Sequence, residues 1–156
     1  MTTPTLLDAI RVVKENERIA SERYAEAAET LAQVGKELFM QLSEFEKYHY
    51  NKIAALEKSL MEKGDFVNYE GKEFPLPPMF EIKAAKEPNK KSTMQVVTEA
   101  LELEEQAEKA YADLAAHVTD PQGHSMFIKL SEEEHIHYII LTRAYKSLKD
   151  TGVWKW

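Results

Sequence analysis

The second half of this sequence repeats the first, and that limits the fold more than any other feature does. Phe39, Leu42, Ser43, Glu44, Glu46, His49, Tyr50, Lys58, Ser59 and Leu60 recur 88 positions later as Phe127, Leu130, Ser131, Glu132, Glu134, His137, Tyr138, Lys146, Ser147 and Leu148. That is ten identities in the 22 positions from Phe39 to Leu60, against about one or two expected by chance. A shift of 87 brings Glu17 onto Glu104, Ala20 onto Ala107, Tyr24 onto Tyr111, Ala25 onto Ala112 and Ala28 onto Ala115. Two copies of a sequence imply two copies of one supersecondary unit, each burying its apolar face against its twin.

The unit reads as a helical hairpin. Ala, Glu, Leu and Lys are abundant, and apolar residues recur at spacings of three and four, the helical period. The first helix is expected to begin near Thr3 or Thr5, with Pro4 at an early helical position, and to end near Val34, where Gly35 punctuates. The second should run from Lys36 to Lys63 and stop at Gly64. The third should start at Ser92, which has capping-box spacing to Gln95, and reach about Val118. Asp120 and Pro121 suit the cap and first turn of a fourth helix that lasts to Asp150, with Gly152 beyond it.

About 27 residues, Asp65 to Lys91, separate the two hairpins and hold most of the prolines. At ~3.3 Å per residue this stretch can return along a ~40 Å helix. It therefore reads as a crossover whose apolar Phe74, Leu76, Met79 and Phe80 cover a bundle face or gate a ligand. The expected fold is all-α, a ferritin-like four-helix bundle of two antiparallel hairpins joined by a long crossover. Residues 1–156 would form a single domain: hairpin 3–63, crossover 64–91, hairpin 92–150 and a short aromatic tail 151–156, which serves packing or a subunit contact.

The polar members of the repeat fall where apolar residues belong. At 100° per residue Ile10, Val13, Glu17, Ala20, Tyr24, Ala28 and Leu31 share one stripe, and Glu104 lies likewise among Val97, Ala100, Ala107 and Tyr111. The second helix places Glu46 and His49 between Phe39, Leu42, Ile53, Leu56 and Leu60. The fourth places Glu134 and His137 between Phe127, Leu130, Leu141 and Leu148. Four buried carboxylates in one layer repel each other, and each ion loses several kcal/mol of solvation unless it is paired or protonated. No Lys or Arg shares that layer, but two divalent cations would balance four Glu and leave neutral imidazoles to complete the shell. A hard, oxygen-rich donor set with one nitrogen per metal suits iron or manganese, and affinity would also admit zinc. Glu and His at i and i+3 lie on one helix face and can reach the same ion.

These segments, Glu17 to Tyr24, Phe39 to His49, Glu104 to Tyr111 and Phe127 to His137, resemble the rubrerythrin family of ferritin-like di-iron carboxylate proteins. The likeness extends over all four helices. It implies that Glu17, Glu46, His49, Glu104, Glu134 and His137 hold two iron ions per bundle, with Glu46 and Glu134 bridging. It also implies a non-haem di-iron oxidoreductase that reduces hydrogen peroxide or oxygen with electrons from an external donor such as a rubredoxin-like protein. Many members carry a rubredoxin domain, whereas this chain has no Cys. Leu103 and Gln106 occupy the seam positions beside Glu104, where a further third-helix carboxylate would be sought. Ferroxidase chemistry of ferritin type and a metal-stabilised bundle without turnover are the alternative functions.

Tyr24 and Tyr111 are the candidate catalytic residues. They would hydrogen-bond ligand carboxylates across the bundle, supply a proton or an electron, or simply be buried aromatics whose hydroxyls find any partner. Glu132 and His135 form a decoy pair: His135 lies about 200° around the helix from His137 and its repeat counterpart is Lys47, so a surface position is expected. Glu44 and Glu105 should face solvent, and His117 and His124 should serve the turn between the third and fourth helices.

A net charge of −7, from 20 basic and 27 acidic residues, argues against nucleic acid as a partner. The absence of Cys excludes disulfides, thiol catalysis and a four-thiolate iron site. No run approaches the ~18 apolar residues of a membrane span, and Met1 to Arg11 lacks the form of an export signal. A cytoplasmic protein is therefore expected, with no membrane partner, as a homodimer in which hairpins could be exchanged through the crossover.

Overall fold

Thr5 opens the first helix by a reciprocal cap: its hydroxyl accepts from the Asp8 backbone N–H while the Asp8 carboxylate accepts from the Thr5 backbone N–H. A computed structural model of the chain describes residues 5–74 and 87–156. Four helices follow one another: α1 (Leu6–Thr30), α2 (Gln33–Lys63), α3 (Lys90–His117) and α4 (Pro121–Thr151). They form an all-α four-helix bundle of two tightly packed hairpins, α1 with α2 and α3 with α4. Asp120 caps α4 by accepting from the Gln122 and Gly123 N–H groups, with Pro121 in the first turn as expected. Gly64 and Gly152 end α2 and α4 in the left-handed conformation, at φ 71° and 73°, which glycine adopts without a Cβ penalty.

Two expected boundaries are corrected. The turn between α1 and α2 lies at Leu31 and Ala32, and Gly35 is inside α2. Its role is space: a Cβ there would meet the Trp154 indole at 2.5 Å. The tail thus packs into the core, with Trp154 1% exposed and its ring 6.4 Å from that of Phe39. At the start of α3 the Ser92–Gln95 box does not form, because the helix already begins at Lys90. Its start is set from α4: the Glu87 N–H donates to the Gly152 carbonyl, the Glu87 carboxylate accepts from Trp154 Nε1, and Lys90 Nζ donates to the Lys149 carbonyl.

The described ends of the crossover, residues 65–74 and 87–89, lie beside α4 and its C-terminal cap. Phe66 abuts Gly123, Lys129 donates to the Tyr69 carbonyl, Tyr69 and Lys72 reach Glu133, Phe74 meets His137, and Glu87 reaches Gly152. Phe74 covers the bundle face as expected, packing on Phe45 and His137. Leu76, Met79, Phe80 and Pro4 lie outside the described residues. Because the crossover reverses the second hairpin, α3 is antiparallel to α1 and α4 to α2, which gives the pair of hairpins an approximate twofold axis.

The seams pack as two apolar clusters, one at each end of the bundle. Ala20, Phe39, Leu42, Val97, Leu141 and Trp154 belong to one, and Ile10, Ile53, Leu56, Tyr111, Phe127 and Leu130 to the other. Burying one such large side chain contributes about 1.5–3 kcal/mol, so the two clusters can hold a polar layer between them. No helix among the described residues is long and apolar enough to cross a membrane.

Candidate metal centre

Each helix contributes to that layer from the middle of its seam. Glu17 on α1, Glu46 and His49 on α2, Glu104 on α3, and Glu134 and His137 on α4 are all at most 2% exposed. Their donor atoms fall into two groups, Glu17, Glu46, His49 and Glu134, and Glu46, Glu104, Glu134 and His137, with the atoms of each group within 4.8 Å of one another. Each group can hold a metal ion. Glu46 and Glu134 belong to both, the position a bridging carboxylate must occupy.

The donors are aimed at a shared space. His49 Nδ1 is 2.7 Å from Glu134 Oε1 and 3.6 Å from both Glu17 Oε2 and Glu46 Oε2. His137 Nδ1 is 3.0 Å from Glu46 Oε1, 3.5 Å from Glu104 Oε1 and 3.7 Å from Glu134 Oε2. Despite these approaches, Glu17 Oε2, Glu46 Oε1, His49 Nδ1, Glu104 Oε2, both Glu134 oxygens and His137 Nδ1 have no aligned hydrogen-bond partner among the described residues. Buried polar atoms without partners cost about 1–3 kcal/mol each. Seven converging on one volume satisfy the donor requirement of two oxygen-rich cation sites, each with one nitrogen.

Electrostatics agree. Burial, and then the charge of Glu46, hold the Glu17 carboxyl well above the ordinary range, and burial with repulsion from Glu104, Glu46 and Glu17 does the same to Glu134. Burial opposes ionisation of Glu46 too, but close polar contacts from Glu17, His137 and His49 outweigh it and keep its carboxyl low. Burial alone would strip the proton from His49, yet Glu134 and then Glu133 keep that imidazole well above its usual value. His137 is held up in the same way against burial, chiefly by Glu104. The raised carboxyls and imidazoles are what a buried layer short of positive charge produces.

The tyrosines take the first of their expected roles: Tyr24 OH donates to Glu104 Oε1 and Tyr111 OH to Glu17 Oε1, both at 2.8 Å and both across the α1–α3 interface. The decoys stay outside: His135 pairs with Glu108 at 2.9 Å on the exposed side, and Glu44 and Glu105 are exposed. His117 and His124 contact the backbone carbonyls of Asp113 and Ala115 near the α3–α4 turn.

Sequence reasoning missed Glu133. It is buried, 3.3 Å from His49 Nε2, and accepts hydrogen bonds from Tyr69 OH at 2.7 Å and the Lys72 N–H at 3.2 Å. It stands behind His49, on the side away from the other donors. The repeat held a signal for it, because its counterpart is Phe45, an aromatic residue whose burial implies burial at 133.

A recess of about 60 Å³ lies before the carboxylates between α1 and α3. Its walls come from Asn16, Ile19 and Ala20 and their repeat counterparts Leu103, Gln106 and Ala107. A larger apolar groove, about 640 Å³, at the end of the bundle by Leu6, Phe66 and Val118 touches none of the six residues.

No protein-family model matches the chain, and no curated protein sequence matches it. Among solved structures it is similar to a hypothetical protein from Pyrococcus furiosus, Pfu-1136390-001, at a TM-score of 0.70 and 20% identity. The match covers 94% of this chain and 91% of that one. At that identity the likeness concerns the fold alone.

Proposed function

We propose that this chain is a non-haem di-iron oxidoreductase of rubrerythrin type, which reduces hydrogen peroxide, or oxygen, with electrons from an external donor. The observation that carries the reading is the pair of four-residue donor groups sharing Glu46 and Glu134 in a buried layer. Four carboxylates against two divalent ions balance in formal charge, and oxygen-rich donors favour iron or manganese over thiolate-seeking metals. Bound there, a pair of iron(II) ions would supply two electrons, one each, the number that splitting an O–O bond requires.

The chain's own residues have separable tasks. Glu46 and Glu134, which belong to both donor groups, would help hold both ions and balance their charge. His49 and His137, one turn further along α2 and α4, would keep the two positions in register. Tyr24 and Tyr111 hold Glu104 and Glu17 in orientation. Burial, followed by the neighbouring carboxylates, raises both hydroxyls well above their ordinary values, so they keep their protons beside the centre. The recess favours a small oxidant over an organic substrate: at about 60 Å³ it is well below the roughly 300–1,000 Å³ of pockets that take organic ligands.

The test is to load the metal-free protein with iron(II) without air, count iron per chain, and mix it separately with peroxide and with oxygen. Two irons per chain and faster oxidation by peroxide are expected. Preference for oxygen with continued iron uptake would replace the reading by ferroxidase chemistry, and a loaded protein inert to both oxidants would remove the redox role.

A further inference from the structure

The two donor groups match in kind: each combines the shared Glu46 and Glu134 with one further Glu and one His. Their supports match as well on the carboxylate side, since Tyr111 and Tyr24 donate to Glu17 and Glu104 at the same 2.8 Å. The likeness fails behind the imidazoles. At repeat-equivalent positions α4 has Glu133 and α2 has Phe45. Glu133 therefore stands behind His49, 3.3 Å from its Nε2, whereas His137 has Phe45 and Phe74 around it, with ring centroids at 4.4 and 5.3 Å. Among the described residues His137 Nε2 has no hydrogen-bond partner.

This difference bears on metal binding. A neutral imidazole that gives Nδ1 to a metal must carry its proton on Nε2, and that proton needs an acceptor once water is excluded. His49 has one in the Glu133 carboxylate, itself fixed by Tyr69 OH and the Lys72 N–H. Gly71, at φ 89°, a conformation that favours glycine, gives the crossover the turn that brings this N–H to Glu133. His137 must bury the equivalent N–H among aromatic rings. A hydrogen-bonded carboxylate also makes an imidazole a stronger donor and fixes its ring orientation.

We propose that the two positions are unequal: the one held by His49 binds its divalent cation more tightly and fills first, with Glu133 as the positioning residue responsible, and the one held by His137 fills second. The inference rests on the two-metal reading above but not on its redox part. Loss of support of this type lowers metal affinity about 10- to 100-fold, which sets the expected gap between the two steps.

The test titrates metal-free protein with manganese(II), following free metal by electron paramagnetic resonance. Wild type should show two steps at least about tenfold apart. His49→Ala should remove the tighter step and His137→Ala the weaker. Glu133→Leu should weaken the tighter step about 10- to 100-fold and leave the weaker unchanged, while Glu133→Gln, which keeps a carbonyl acceptor, should restore part of the loss. Thermal melting of each metal-free variant identifies misfolding. If Glu133→Leu does not fold, Glu133→Gln and Tyr69→Phe should show smaller losses confined to the tighter step. Equal steps in wild type, or Glu133 variants that weaken both steps alike or neither, would overturn the proposal. Ordered binding in a protein whose iron form ignores peroxide would sink only the redox reading; peroxide reduction with two equal steps would sink only this one.

Discussion

Replacing a carboxylate that both donor groups share should cost both metals, and replacing one that belongs to a single group should cost one. Glu46 and Glu134 are shared, while Glu17 and Glu104 each serve one group. Two unit charges ~4 Å apart interact by about 4 kcal/mol at an effective dielectric constant of ~20. Against a binding scale of 1.4 kcal/mol per factor of ten, that is roughly a thousandfold, and a divalent ion can only enlarge it. Glu17→Ala should therefore weaken the His49 position at least about a thousandfold and leave the other group complete. Glu104→Ala should do the reverse. Glu46→Ala and Glu134→Ala should weaken both. Equilibrium dialysis against manganese(II), at about tenfold above the wild-type saturating concentration, followed by elemental analysis, reads the count directly. Expected values are about two metals per chain for wild type, one for Glu17→Ala and Glu104→Ala, and none for Glu46→Ala and Glu134→Ala. Two metals retained by both shared-residue variants, or none by Glu17→Ala, would refute the assignment of shared and single roles.

Metal affinity should rise with pH, because Glu17, Glu134, His49 and His137 hold protons above their ordinary values and a metal must displace them; calorimetry in buffers of different ionisation heat should detect proton release, and pH-independent affinity would contradict it. In the metal-free protein the same raised groups contribute stability that is present below their unfolded values, 4.5 and 6.5, and is lost as pH rises through the folded ones. Glu46, held low, contributes stability that is present above 4.5 and lost only as pH falls further, so above about pH 6.5 the metal-free melting temperature should fall as pH rises. Tyr24→Phe and Tyr111→Phe each remove the donor to one carboxylate; each should weaken one metal about tenfold in dialysis, and unchanged affinity would make the hydroxyls irrelevant to binding. Gly35→Ala should destabilise by about 1–3 kcal/mol although Ala is the better helix former, since the new methyl would meet Trp154 at 2.5 Å; a higher melting temperature would show that the indole moves aside freely.

The helical hairpins, their doubling and the six converging donors were legible in the residue order. Helical periodicity is a local property, and a Glu at mid-seam is conspicuous because it breaks an apolar stripe at a repeated place. Gly35 misled for the opposite reason: a glycine near a turn looks like punctuation, and its actual partner, Trp154, is 119 residues away in the chain. Glu133 was hidden in the run Glu132–Glu134, where three consecutive acids look alike although they point in directions about 100° apart.

What the amino-acid order determined by itself was the set of groups that must meet, because seam position and repetition are one-dimensional facts. What only the tertiary structure decided was which hydroxyl reaches which carboxylate and what stands behind each imidazole. Those depend on the packing of the crossover beside α4 and on the antiparallel pairing of α1 with α3. Contacts between segments 64 to 94 residues apart leave no periodic trace, and the approximate symmetry of the repeat conceals a place, Phe45 against Glu133, where the two halves of the centre differ.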